Sequence, residues 1–322
     1  MGVIKLAMFK IIHYNNEGDT SWLYYKIANQ LMAFSEPVKT LHEFEVNQGF
    51  VEIDGLPDRH STFEVLNDDN SFFDHQVEVT FNNKIAEISL LRKKVEDGIH
   101  FAQINVNEKP ACHLDFKNKT IVVLNNEPFD SDFNIELITG PAMIMLLAHQ
   151  NIFSLHSSAV TITLPNSDKV NVAFIAESGV GKSTLSKSVS HTWMQCSDDI
   201  LPITANEIEI SILDYPQLKL KNKKIISSEN NNLNYIFNLN YIDGDRIVIE
   251  KMNAVDSFLK VVRHTVAARL FNEHLLQEHL KFAQKIIDKT PVFSLIYPRK
   301  IEQLPLLQKT LTEFLYNRES NK

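Results

Sequence analysis

The segment Ala176-Glu177-Ser178-Gly179-Val180-Gly181-Lys182-Ser183-Thr184 constrains this chain more than any other. It follows the compact apolar run Val170 to Ile175 and precedes Leu185, Val189 and Trp193, which recur at helical spacing. The predicted order is strand, glycine-rich loop, helix. Gly179 and Gly181 let backbone N–H groups turn inward and approach an anion that a side chain would obstruct. The start of the following helix offers unpaired N–H groups and a partial positive charge to the same anion. Lys182 adds a cation for the β- and γ-phosphate oxygens of a nucleoside triphosphate, and Ser183 a hydroxyl for Mg²⁺. The general pattern for such a P-loop is G-x-x-x-x-G-K-[ST], and Ala176 stands here in place of the first glycine. Alanine is the smallest departure, but it would be strained if that position required positive φ. The competing explanation, a strand-to-helix turn with a surface lysine, rests on Ala176. Against it, a chain with only nine glycines has placed two of them in this loop.

Beyond the predicted helix, Cys196-Ser197-Asp198-Asp199-Ile200-Leu201-Pro202-Ile203 sets two adjacent carboxylates ahead of a short apolar strand. Phosphoryl transfer needs acidic groups for the metal and for orienting or deprotonating the attacking hydroxyl, and two aspartates can divide that work. An isolated Asp-Asp is more often a solvated turn or a cap. Its position shortly after Lys182 favours the chemical reading. His156, in Leu155-His156-Ser157-Ser158-Ala159-Val160, falls at the entry to a strand just before the glycine-rich unit. A lone histidine is usually a satisfied surface or core residue. His264, His274 and His279 lie on later helical stretches without a metal-ligand cluster and read as surface or packing residues.

A chain of 322 residues is longer than most single cores need, which predicts one large domain with an accessory layer or two domains. From about Leu41 to Leu124 apolar and polar residues alternate: Phe44/Val46, Val51/Ile53, Phe63/Val65, Val77/Val79/Phe81, Leu114/Phe116 and Ile121/Val123. With breaks at Asp54-Gly55, Asn82-Asn83 and Lys117-Asn118, this half reads as antiparallel hairpins. Ahead of it, Ser21 to Phe34 reads as one amphipathic helix. The polar stretch Asn125 to Asn134, with Pro128, suits a linker, so the expected division is a β-rich domain over 1–130 and an α/β (α+β) domain over 131–322. In the second part a helix is predicted over Ile135 to Gln150 and a hairpin around Pro165-Asn166-Ser167-Asp168. Tyr235 to Leu239 and Arg246 to Ile249 flank the hairpin signal Asp243-Gly244. Helices are expected on Phe258, Leu259, Val262, Val266 and Leu270, on Leu276, Leu280, Ala283 and Ile287, and on Leu304, Leu307, Leu311 and Leu315. A strand is expected at Val292 to Ile296.

Hydrophobic residues make up 44% of the chain and charged residues 22%, ordinary for a globular protein. The net charge of −8 and the lack of a Lys/Arg stripe with interleaved aromatics argue against nucleic acid as a partner. Two cysteines, Cys112 and Cys196, cannot form a disulfide framework and read as small core residues. The first residues lack the pattern of a signal peptide, and Leu6 breaks the myristoylation pattern. The apolar run Pro141 to Ala148 is too short to span a bilayer. A cytoplasmic protein without a membrane partner is expected, with homo-oligomerisation left open.

With these residues in view, the chain resembles the HPr kinase/phosphorylase-like family, in particular its HPr-kinase-related members, some of which are peptide-tailoring kinases in lasso-peptide pathways. That family's G-E-S-G-x-G-K-S loop is matched by Ala176 to Ser183 everywhere but its first glycine, and Glu177-Ser178 separates it from the generic loop. Leu155-His156-Ser157-Ser158-Ala159-Val160 fits the family's histidine strand, and Asp198-Asp199 its acidic pair. Weaker similarity runs through Tyr215 to Leu220, through Ile247 to Leu259, and at Val292 to Arg299, so that Ile135 to Leu315 is covered. The first half looks like the shorter β-rich leader of the HPr-kinase-related proteins. The resemblance implies a fold akin to phosphoenolpyruvate carboxykinases, a mixed twisted sheet with flanking helices and the nucleotide at one end. It also implies Mg²⁺-dependent transfer of the ATP γ-phosphoryl group to a hydroxyl, often serine. By the same analogy Glu177 to Thr184 contact the nucleotide, Asp198 is the base, Asp199 shares the metal with Ser183, and His156 tunes the base.

The function expected is an ATP-dependent kinase acting on a hydroxyl of a peptide or protein, with a small hydroxylated metabolite as the close variant. A nucleotide-dependent switch or assembly factor that modifies no acceptor is the alternative from another class. A binding module that has lost turnover through Ala176 is the third. The residues leave ATP against GTP open, as they do any reverse, phosphorylase-type reaction.

Overall fold

A computed structural model describes residues 9–13, 22–45, 71–81, 84–95, 98–177, 179–187, 193–216 and 231–321. The protein is mixed α/β, with two mixed sheets and several helices. It divides into two compact units, one of Met1–Gln150 with Arg269–Asn272, the other of Asn151–Ala268 with Glu273–Lys322.

The first unit is built on β1 (Phe9–His13), β2 (Leu23–Ile27), β3 (Gln30–Phe34), β4 (Ser71–Phe81), β5 (Lys84–Val95), β6 (Gly98–Val106), β7 (Lys109–Asp115) and β8 (Thr120–Val123). Their order is β2-β3-β1-β8-β7-β6-β5-β4. The run from β4 to β8 is the expected antiparallel meander, whereas β1 pairs parallel to both β3 and β8. The stretch read as a helix over Ser21 to Phe34 is instead the β2–β3 hairpin. Its turn residues Ala28 and Asn29 both have positive φ, 50° and 57°, the geometry whose twist matches paired strands. Aromatic Tyr24 and Tyr25 fit a pleated surface better than a helix, and both are buried. Val51/Ile53, Phe63/Val65, Asp54-Gly55 and Asn82-Asn83 lie outside the described residues.

The expected helix of Ile135 to Gln150 is present as α1 (Asp132–Leu137) and α2 (Met143–Ala148), joined by a wider π turn, Ile138–Ala142. It belongs to the first unit, so the division falls after residue 150, where the sequence suggested 130. The side-chain amide of Asn134 explains this. It meets Asn125 at 2.6 Å and donates to the carbonyls of Glu127 and Pro128, at 3.2 and 2.9 Å, folding the polar stretch onto the helix start. At the other end His149 stacks on Phe116, centroids 3.7 Å apart. Within the same unit the buried Arg92 donates to the carbonyl of Leu270 in the Arg269–Asn272 segment.

The second unit contains β9 (Phe153–Thr163), β10 (Lys169–Ile175), α3 (Lys182–Lys187), β11 (Trp193–Ser197), β12 (Ile200–Ala205), β13 (Ile210–Ile212), β14 (Leu233–Ile242) and β15 (Val248–Lys251). It continues with α4 (Ala254–Arg263), α5 (Glu273–Lys289), β16 (Val292–Pro298) and α6 (Leu304–Glu319). The sheet order is β13-β12-β9-β10-β14-β16-β15, with β11 also on β9. β10, β14 and β16 are parallel, and β9 and β15 antiparallel to their neighbours. The hairpin predicted across Asp243-Gly244 therefore does not form, because β16 lies between β14 and β15. The strands β14 and β16, apolar over most of their length, need cover on both sides, as parallel strands do.

Helices cover both faces. Leu304, Leu307, Leu311 and Leu315 of α6 form the expected stripe and enter a core with Val160, Ile162, Phe174, Phe237 and Phe293. Trp193, expected on the helix after the loop, opens β11 instead and donates its indole N–H to Thr312 of α6 at 3.1 Å. Phe153, on the opposite pleat of β9, meets Phe282 and His279 of α5. The buried faces of α4 and α5 are shifted from those expected: Ser257 and Val261, then Leu275, His279, Phe282, Ala283 and Ile286. Leu259, Leu276 and Leu280 are exposed. Cys112 and Cys196 are buried free thiols, as the composition suggested.

Leu311→Ala, at a fully buried position, is expected to cost about 2–5 kcal/mol and to lower the urea midpoint accordingly. Leu306→Ala, on the exposed side of the same helix, should stay within about 0.5 kcal/mol of the parent in the same titration.

Candidate functional site

β10 runs buried to Ile175 and ends at Ala176, which is not among the residues with positive φ. The departure from glycine there carries no left-handed strain. Gly179 and Gly181 do adopt left-handed conformations, with φ of 82° and 79°. At Gly181 space adds a second requirement, since a Cβ would lie 2.5 Å from the Tyr241 hydroxyl. Tyr297 Oη donates to the carbonyl of Val180 at 3.1 Å, and Ser158 Oγ to that of Lys182 at 3.1 Å. Lys182 Nζ reaches back across the loop to the Ala176 carbonyl at 2.8 Å. Burial holds its ammonium below the ordinary lysine range, opposed by the charges of Asp199 and then Glu177. Ser183 is half-buried and Thr184 exposed, while Ser178 lies outside the described residues.

Asp198 and Asp199 are not a hairpin turn. β11 and β12 follow one another along β9, with Ser197 opposite Ala159 and Ile200 opposite His156. The two aspartates occupy a bend between them, and the ladder persists through it as Ser157 N–H donates to the Asp199 carbonyl at 3.1 Å. Ser197 Oγ lies 3.0 Å from the carbonyl of Ile200 and 3.3 Å from that of Ser157, clasping the bend. The pairing slips by one residue at Cys196, a bulge ahead of the pair. Asp198 is 2% exposed. Asp199 keeps 41% of its side chain accessible, and His156 Nε2 lies 3.1 Å from its Oδ1. The histidine expected beside Asp198 thus meets Asp199, because a strand delivers neighbouring side chains in different directions.

Two further residues border the loop. β10 covers β9 only from Ser157 onward, and where it ends residues 264–266 take over the vacated side: His156 N–H donates to the His264 carbonyl at 2.7 Å and Val266 N–H to that of Ser154 at 2.8 Å. This brings Arg263 Nε to 3.1 Å from Glu177 Oε1. The His264 ring is buried and held down to about 4, by desolvation first, with Lys182, His156 and Lys260 adding to the shift and Glu177 opposing it. His279 is likewise held down to about 4 by burial, its Nε2 2.7 Å from Thr265 Oγ1. His264 and His279 are thus packing residues, but His264 packs within electrostatic range of Lys182, Glu177 and His156. Helical periodicity ran through Arg263 and His264 and gave no sign of the strand-like bridge that places them.

The second unit is therefore a mixed α/β unit in which the glycine-rich loop follows β10, Lys182 opens α3, the aspartate pair lies between β11 and β12, and His156 stands on β9. A scan against protein-family models and a search of curated proteins both find no match. Among the described residues no group of three or more His, Cys, Asp or Glu gathers as for a metal ion, and no helix is long and apolar enough to cross a membrane.

Gly181→Ala should destabilise the fold by at least about 1–2 kcal/mol, the cost of a left-handed alanine, before any clash with Tyr241. Ala176→Gly should change it by less than about 1 kcal/mol; urea titration of both variants checks the contrast.

Between pH 6.5 and 4 the unfolded chain carries protons on His264 and His279 that the fold does not accept. Their contribution to stability is complete above about pH 6.5 and is lost as pH falls toward 4. Melting temperatures measured across this window should drop less steeply for His264→Leu than for the parent.

Proposed function

We propose that the protein is an ATP- and Mg²⁺-dependent phosphotransferase of the P-loop type, related to the HPr-kinase-like proteins, that passes the γ-phosphoryl group to a hydroxyl of a peptide or protein. What supports this reading is one observation: Lys182, set on a loop with two left-handed glycines, lies within electrostatic range of Asp199, which His156 holds from the neighbouring strand. A cation suited to phosphate and a carboxylate suited to metal or proton work are combined with a histidine from the preceding strand.

Mg²⁺ favours oxygen ligands, retains several waters and takes one or two carboxylates beside substrate phosphates. Ser183 and Asp199 are the residues that would hold it. Held there with the nucleotide, Mg²⁺ would supply charge neutralisation at the phosphate oxygens. Lys182 exchanges the Ala176 carbonyl for phosphate oxygens, and the loop N–H groups orient the chain of phosphates. The acceptor oxygen bonds to the γ-phosphorus, the bond to the β–γ bridging oxygen breaks, ADP leaves, and the hydroxyl proton passes to Asp198. His156, paired with Asp199, orients the metal-side carboxylate, a change from the tuning of the base that the sequence suggested. Burial keeps Asp198 from water until an acceptor enters.

Mg·ATP should raise the melting temperature, since a ligand specific for the native state adds about 2.7 kcal/mol at a hundredfold excess over Kd. Lys182→Ala should abolish most of that shift, and an unchanged shift would remove the phosphate assignment. Mass spectrometry of peptides incubated with the protein and γ-labelled Mg·ATP tests transfer; hydrolysis without any labelled acceptor would favour a nucleotide switch. Asp198→Asn should retain Mg·ATP affinity and lose about 10²–10⁴ in single-turnover transfer. Asp199→Asn should weaken the Mg²⁺ dependence of binding as well, and exchanged phenotypes would reverse the two roles.

A further inference from the structure

The loop after β10 has different neighbours on its two sides. Toward β9 and β12 stand His156 and the aspartate pair. Toward β14 and β16 the strands continue past the end of β10: Ile175 is opposite Asn238, but β14 runs on to Ile242 and β16 to Pro298. At about 3.3 Å per residue this four-residue overrun raises a wall of roughly 13 Å beside the loop. Its outer end carries a buried tyrosine, a half-buried one and an exposed arginine. Tyr241 and Tyr297 are register partners with edge-on rings 5.1 Å apart, and the Arg299 guanidinium lies 5.2 Å from the Tyr241 ring centre.

The wall is attached to the second half of the loop. Tyr297 donates to the Val180 carbonyl, and the Tyr241 hydroxyl fills the space where a Gly181 side chain would stand. The half-buried Tyr241 packs against the core that contains Tyr297, and Arg299 is the member that core packing does not account for. Tyr241 is half-buried, Arg299 is exposed, and among the described residues no carboxylate pairs with Arg299. A guanidinium over a phenol face is an arrangement that stacks heteroaromatic rings without reading their hydrogen-bonding edges.

We infer that Tyr241 and Arg299 form the nucleobase subsite of the nucleotide held by the loop. This rests on the proposed function, which directs the terminal phosphate toward the aspartate pair between β11 and β12. The nucleoside end then leaves on the opposite side of the loop, where the Tyr241 ring and the Arg299 guanidinium are the stacking surfaces. Stacking there favours binding of a nucleoside triphosphate over bare triphosphate and discriminates weakly among bases.

Calorimetric titration with Mg·ATP and with Mg·tripolyphosphate tests this on the full chain. The parent protein is expected to bind ATP more tightly. Arg299→Ala and Tyr241→Leu are each expected to lower ATP affinity by about 5- to 100-fold, the value of one stacked base, and to leave tripolyphosphate affinity within about twofold. Tyr241 also supports Gly181, so Arg299→Ala, which makes no hydrogen bond to the loop, decides the matter if Tyr241→Leu weakens both ligands. Equal parental affinity for the two ligands overturns the subsite, as does an Arg299→Ala variant that binds ATP like the parent. Failure of the phosphate site itself looks different: neither ligand binds the parent, or Lys182→Ala binds both unchanged, and the base inference falls with it.

Discussion

Strand β9 is the support on which the candidate site depends. One side of it carries β10, which delivers the glycine-rich loop, and then the segment 264–266 that brings Arg263 to Glu177. The other side carries β11 and β12 and, between them, the aspartate pair. His156 belongs to β9 itself. The relative positions of these groups are therefore set by ladder hydrogen bonds rather than by flexible connections, and the buried Ser157 and Ser158 leave the strand little freedom to adjust. A site on such a framework holds its groups near fixed distances before any ligand arrives, which is where binding and catalytic sites gain most from a rigid scaffold.

What the sequence disclosed were features whose cause is local. The left-handed glycines needed no distant information, because a loop between an apolar strand and a helix can only turn sharply at residues that tolerate positive φ. The leucine stripe of α6 was equally legible, since a period of three to four residues repeats on one buried face. Burial of both cysteines followed from composition alone.

The misreadings share a different cause. Ser21 to Phe34 has an apolar spacing that suits a helix, and only the positive φ of two adjacent residues turns it into a hairpin. The turn at Asp243-Gly244 exists, with Gly244 at φ 120°, but the strand after it crosses to the far side of β16. No local pattern announces which strand will be inserted between two others. The helical spacing around His264 gives no sign of its place beside the loop, which arises where 264–266 takes the side of β9 that β10 leaves. In α4 and α5 the apolar residues visible in the sequence, Leu259, Leu276 and Leu280, are partly the exposed ones, and His279 occupies the interior. On α5 the buried stripe is Leu275, His279, Phe282, Ala283 and Ile286, a second helical register that the sequence offered beside the one expected.

The bulge at Cys196 sets the phase of everything that follows it. Side chains along a strand alternate with a period of two, so the residue absorbed there determines which aspartate is enclosed and which stays open to His156. With an even ladder through Cys196 the same two residues would exchange surroundings without any change in their identity or order. The different characters of the two carboxylates, one shielded and one accessible, are thus a property of strand register, set by the shift in pairing between Gln195 and Ser197.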